Sequence, residues 1–210
     1  NLRAEPGTTC LLKAETPNSD STYVPMEFKI TRSTIRTNPV PYYGIVGNNV
    51  GYIVISTFAI ENCSKDIKKA LIELKQQGAK SIVLDLRGNG GGLLGEAVNV
   101  VNFFVPKGKE IVVTKGKIKQ AGTTYKTKNE PVDTEIPLAV LVDGSTASAS
   151  EIVSGSLQDL DRAIVVGSRT YGKGLVQVPR ELPYNSSMKV TTAKYYIPSG
   201  RCIQAIDYAK

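Results

Sequence analysis

The chain has 210 residues, 41% of them hydrophobic and 21% charged, with a formal net charge of +7 from 26 basic and 19 acidic side chains. Such a length and balance suit one globular domain, or one domain with a fragment attached, and no run reaches the roughly 18 apolar residues of a transmembrane helix. Histidine is absent, which excludes a Ser-His-Asp triad, a Cys-His pair and a histidine-ligated metal.

Three cysteines, Cys10, Cys63 and Cys202, lie far apart without a CxxC pair, so neither a zinc site nor a disulfide framework is expected. The positive charge is densest at Lys107, Lys109, Lys115, Lys117 and Lys119. With few aromatics nearby, this reads as a solvated edge that discourages strand pairing rather than as a nucleic-acid surface. The chain begins at Asn1 without a methionine or a signal pattern, as a processed or trimmed product would.

Residues 1–36 read as part of a larger unit. A turn at Glu5-Pro6-Gly7-Thr8 leads into β-rich runs at 9–14 and 23–30, separated by a polar loop at 15–21. Two strands make no independent core. Asn38-Pro39-Val40-Pro41 reads as a linker, and beyond it strands and helices alternate.

The expected elements are a strand at 51–56, an amphipathic helix at 64–77 and an apolar strand at 81–86. The helix carries Ile67, Ala70, Leu71 and Leu74 on one face, with Asn62 or Ser64 as its N-cap and Gly78 as its stop. A second helix runs from about 93 to 104, where Pro106 ends it. An inserted hairpin (110–114 and 123–127), a strand (136–142), a third helix (146–158) and a strand (163–167) follow. Last come strands at 176–178 and 188–196. The order argues for an α/β layered core.

Three places invite chemistry. Gly88-Asn89-Gly90-Gly91-Gly92 sits between a strand and a helix start, where free N–H groups can meet a phosphate or an acyl oxyanion, or simply form a tight turn. Ser145, Ser148 and Ser150 cluster at the start of the third helix, and residue chemistry alone does not choose among them. Lys173 lies between Gly172 and Gly174 and is the candidate activator in a chain without histidine. At neutral pH only about one lysine in a thousand is uncharged. A lysine base therefore needs burial that lowers its pKa by roughly 3 units, at a cost of about 4 kcal/mol.

Four motifs, in this order, resemble the C-terminal (tail-specific) processing peptidases of the S41 type. They are Asp85-Leu86-Arg87-Gly88-Asn89-Gly90-Gly91-Gly92, Gly144-Ser145-Thr146-Ala147-Ser148-Ala149-Ser150-Glu151-Ile152, Thr170-Tyr171-Gly172-Lys173-Gly174-Leu175-Val176-Gln177, and Tyr195-Tyr196-Ile197-Pro198-Ser199-Gly200-Arg201 with Ile203-Gln204. The resemblance implies an α/β, crotonase/ClpP-like peptidase core with an inserted hairpin over residues 37–210. Leu2-Arg3-Ala4-Glu5-Pro6-Gly7-Thr8 is similar to the close of a PDZ domain, which makes 1–36 the C-terminal part of an incomplete one.

The implied chemistry is a Ser-Lys dyad, with Ser148 as nucleophile and Lys173 as base at the family's separation. Gln177 would orient the lysine, since residues four apart share a face of a strand. The oxyanion hole would use the Ala149 amide and that of Gly91, with Gly90 the near alternative. The resemblance further implies cleavage of protein substrates near unstructured C-termini, no cofactor or metal, no nucleic-acid partner, and an extracytoplasmic location in periplasm or cell envelope. Two rivals stay open: a catalytically silent peptide-binding scaffold on the same fold, and a crotonase-like acyl-CoA enzyme.

Overall fold

The computed structural model describes residues 4–19, 22–35, 37–117 and 122–206. Leu2, Arg3, Asp20, Ser21 and Lys119, which belong to stretches discussed above, lie outside the described residues. The chain divides into two compact units, Asn1–Thr37 and Asn38–Lys210. At the boundary Asn38 Oδ1 accepts the Val40 N–H at 3.0 Å, a local turn of the kind asparagine favours.

The first unit is a hairpin of β1 (Thr9–Pro17) and β2 (Tyr23–Thr31), antiparallel from Thr9↔Thr31 to Pro17↔Tyr23. Both strands run past their expected ends because backbone pairing continues after the apolar alternation stops. The Gly7 N–H donates to Arg32 O and the Arg32 N–H to Thr8 O, closing its open end. Every residue of β2 is exposed, Met26, Phe28 and Ile30 included.

The second unit has two sheets. In chain order its elements are β3 (Tyr42–Val46), β4 (Val50–Val54), α1 (Cys63–Gln76), β5 (Ser81–Asp85), α2 (Leu94–Asn102), β6 (Glu110–Gly116) and β7 (Thr123–Lys126). Then come β8 (Leu138–Val142), α3 (Ala149–Asp159), β9 (Ile164–Gly167), β10 (Leu175–Leu182) and β11 (Ser186–Tyr196). The main sheet has the order β3-β4-β5-β8-β9. Its last four strands are parallel, while β3 joins antiparallel to β4 at one edge. Ile53, Leu84 and Val140 are wholly buried in it, as expected of parallel strands covered on both faces. Strand β3 is the one core strand absent from the sequence reading: its tyrosines are exposed at the edge, so it carries no apolar run.

Helix α1 buries the four expected residues, but its N-terminus is satisfied differently. Asn62 adopts a left-handed conformation and offers no side-chain cap. Instead Glu96 of α2 accepts the Asn62 and Ser64 N–H groups at 3.2 and 2.8 Å. A carboxylate from the second helix thus completes the orphan donors of the first.

The second sheet has the order β10-β11-β6-β7 and is antiparallel. The expected inserted hairpin, β6–β7, is therefore not free-standing. It pairs with β11 from Tyr196↔Val113 to Ala193↔Gly116, which makes it part of the same sheet as the strand that follows Lys173.

Candidate active site

Strand β5 ends on a buried carboxylate. Asp85 accepts bonds from the Arg87 side chain at 3.0, 3.1 and 2.7 Å, from the Arg87 N–H at 3.0 Å and from the Tyr52 hydroxyl. Burial pushes the Asp85 carboxyl up, but Arg87 and Tyr52 outweigh it and hold it below the usual range.

The glycine loop that follows is anchored by Asn89, whose side chain is buried. Its Nδ2 donates to Ile55 O at 2.8 Å, its Oδ1 accepts the Gly91 N–H at 2.9 Å, and its backbone carbonyl accepts the Ala147 N–H at 3.0 Å. Gly91 has φ +95, and a Cβ there would fall 2.6 Å from Ala147 O and 2.9 Å from Ala149 N. Only glycine lets this loop lie against the start of α3.

The turn from β8 to α3 is tied to the same loop by Asp143. Its carboxylate accepts the Gly88 N–H at 3.1 Å to both oxygens, the Ser145 N–H at 2.9 Å and the Thr146 N–H at 3.0 Å. These bonds, that from Gly88 foremost, hold its pKa below the usual carboxylate value. The Thr146 hydroxyl, fully buried, donates to Leu86 O at 2.9 Å.

The turn then reaches Ser148 at φ 57, ψ −115. Positive φ in a non-glycine residue is costly and concentrates where a side chain must be presented in a fixed direction. Burial separates the three serines. Ser145 is exposed, Ser148 is half-buried at the tip of the turn, and Ser150 is wholly buried with its Oγ unpartnered.

Glu151 is the functional residue that sequence reasoning missed. It is 4% exposed, and its Oε2 accepts the Ser148 N–H at 2.7 Å and the Lys173 N–H at 2.8 Å. Its Oε1 accepts the Gly172 N–H at 2.6 Å and the Thr170 hydroxyl at 2.8 Å. One carboxylate holds the backbone on both sides of the site. The signal was present: Ser148-x-x-Glu151 is the capping-box pattern.

The lysine loop is clasped from its other side. Gly172 O accepts the Ala205 N–H at 2.9 Å, Gly174 N–H donates to Gln204 Oε1 at 2.9 Å, and Gly174 O accepts the Tyr195 N–H at 2.9 Å. A Cβ on Gly172, at φ +84, would lie 2.4 Å from that of Ala205. The Tyr171 N–H donates to Thr146 O at 3.0 Å, joining the loop to the serine turn.

Two expectations need correction. Lys173 is exposed rather than buried, and among the described residues its amine makes no hydrogen bond to Ser148 or to Gln177. The same-face argument for Gln177 also fails. Strand β10 starts only at Leu175, so Lys173 lies outside its alternation, and Gln177 is exposed and opposite Thr191, beside a register shift that skips Thr192 of β11. Of the two glycine amides, that of Gly91 is committed to Asn89, whereas Gly90 is exposed and its N–H has no acceptor among the described residues. The Ala149 N–H, at the first position of α3, is equally uncommitted. No group of three or more Cys, Asp or Glu among the described residues converges as a metal site would.

Comparisons with known proteins identify relatives of the chain. The model of peptidase family S41 matches residues 49–209. A carboxyl-terminal-processing protease of Picosynechococcus is 40% identical over 94% of this chain and 46% of its own length. A chloroplastic C-terminal processing peptidase of Tetradesmus obliquus is 34% identical over 85% of this chain and 40% of its own. The solved structure of a photosystem II D1 C-terminal processing protease superposes with a TM-score of 0.71 at 32% identity, covering 95% of this chain and 54% of that one. The chain thus spans about half the length of the relatives it matches.

Proposed function

This chain belongs to peptidase family S41, and from that premise we propose that it is a serine endopeptidase that cleaves protein substrates near their C-termini. Ser148 is the nucleophile and Lys173 the base. Neutral Lys173 takes the Ser148 proton as Oγ attacks the scissile carbonyl, then protonates the leaving amine, and water hydrolyses the acyl-enzyme. The oxyanion rests on the Ala149 amide and on one amide of the glycine loop. Gly90 is preferred to Gly91 for the second donor because its N–H is not already spent on Asn89. Gln177 would orient the lysine amine when substrate is bound.

The observation that carries the reading is the Glu151 carboxylate, which ties Ser148 and Lys173 together through their amides. The bound substrate chain covers the exposed Lys173 and excludes water from around it. Residues 1–36 supply part of a PDZ domain that captures a substrate C-terminus by strand addition, and the enzyme acts outside the cytoplasm.

The test is covalent labelling and turnover. A fluorophosphonate should label the wild-type chain at Ser148, and Ser148→Ala and Lys173→Ala should each abolish cleavage of an extended peptide with an unchanged Tm. Unlabelled Ser148 in a folded protein that still binds the peptide would favour the silent scaffold instead.

A further inference from the structure

The outer face of the second sheet carries a cluster of cations that folding does not explain. On β11, Lys194 and Tyr196, two residues apart, share a face. Lys194 stands directly opposite Lys115 of β6. The register shift beside Thr192 interrupts the alternation toward β10, and there Arg180, Val190 and Thr192 line the same groove as Lys194. Lys117 follows the end of β6. These side chains border a groove of about 890 Å³ whose apolar walls include Val190 and Tyr196.

Like charges directly opposed on neighbouring strands are destabilising, and nothing local neutralises this pair. Among the described residues none of the four cations has a carboxylate partner. Glu181 is opposite Ser187 and does not line the groove, and Glu110 is at the far end of β6, opposite Lys126. The Lys115 ammonium finds only the Tyr196 ring, 4.9 Å from its centroid.

We propose that this groove binds an acidic segment of polypeptide, its carboxylates lying between Lys115, Lys194, Lys117 and Arg180. The groove favours a peptide over a single-stranded nucleic acid because its one aromatic face, Tyr196, is already covered by Lys115 and offers no platform for base stacking. The proposal rests on the peptidase reading for the source of that segment, a region of the substrate protein away from the scissile bond. It places a second contact on the strand β10 that follows the Lys173 loop.

Fluorescence anisotropy with a labelled Asp/Glu-rich peptide and a neutral peptide of equal length tests it, in wild type and in Ser148→Ala, so binding is read independently of catalysis. The acidic peptide should bind in both, weaken with salt as ion pairs are screened, and lose roughly tenfold or more in affinity in Lys115→Gln/Lys194→Gln. That variant removes an opposed like-charge pair, so its Tm should equal or exceed the wild-type value. It should also raise KM for a substrate with an acidic flank while leaving kcat on a short neutral peptide unchanged. Equal binding of acidic and neutral peptides, or unchanged affinity in the double variant, would overturn the proposal. Tighter, variant-sensitive binding of phosphatidylglycerol vesicles or of an oligonucleotide would also overturn it.

Discussion

Glu151 has no place in the proposed proton transfers, yet four donors converge on it. Replacing it with glutamine keeps the shape and turns an NH₂ toward N–H groups that need an acceptor. Each buried donor left unsatisfied costs about 1–3 kcal/mol, and a small shift of Ser148 relative to Lys173 costs roughly a hundredfold in rate. Glu151→Gln should therefore lower kcat by about that factor with little change in KM, and lower Tm; unchanged kcat would show that the carboxylate only caps α3. Chemistry in the sequence reached the three serines and the lysine, and family spacing selected Ser148. Burial supplies an independent reason, since Ser150 is sealed off. The capping box made the tie from Glu151 to Ser148 legible, but not its bonds to residues about twenty positions downstream. The same-face argument for Gln177 assumed a strand through Lys173, whereas β10 begins only at Leu175.

At the scale of elements, apolar periodicity located α1, α2 and α3 and the parallel strands. It did not reveal the partners that finish them. The cap on α1 comes from Glu96, thirty-four residues away, and the C-terminal turn of α1 is held by a pair between Lys75 and Asp133. Burial pushes Asp133 up, but Lys75 and the Ile136 and Glu135 amides outweigh it and bring the carboxyl down to about 2. A folded pKa below the unfolded value, about 3.9, contributes stability above that value and loses it as pH falls through the folded one. Wild type should thus be more stable than Asp133→Asn by about 1–2 kcal/mol near neutral pH. The gap in denaturant midpoints should close between about pH 4 and about 2. A gap that persists at pH 2 would mean the asparagine fails for steric reasons. At the opposite end of α1 a thiol is silenced. Burial, then Glu96, pushes the Cys63 pKa up to about 12, so Cys63 should resist iodoacetamide in the native protein.

For the whole molecule, the core cluster of the second unit runs, among the described residues, from Val40 to Leu157. A chain beginning at Asn38 should unfold cooperatively with a Tm close to that of the longer protein, whereas residues 1–37 alone should show no cooperative transition. A large fall in Tm on removing 1–37 would refute the independence of the second unit. The linker at 38–41 and the change from paired strands to alternating strands and helices made this division legible. The joining of β6–β7 to β10–β11 was not, since antiparallel pairing between segments about eighty residues apart is set by register rather than by local pattern.

The clasp on the lysine loop has a consequence in time. The chain emerges from the ribosome N-terminus first, so Ser148 and Lys173 are both exposed to the cell before Gln204 and Ala205 exist outside the tunnel. Until those two arrive, Gly172 O lacks the Ala205 N–H and Gly174 N–H lacks Gln204 Oε1, and the loop bearing Lys173 keeps only its bonds to Glu151, Thr146 and Tyr195. On the proposed reading, a nascent chain with its Ser148 turn already folded would in this way remain unarmed until Ala205 has emerged.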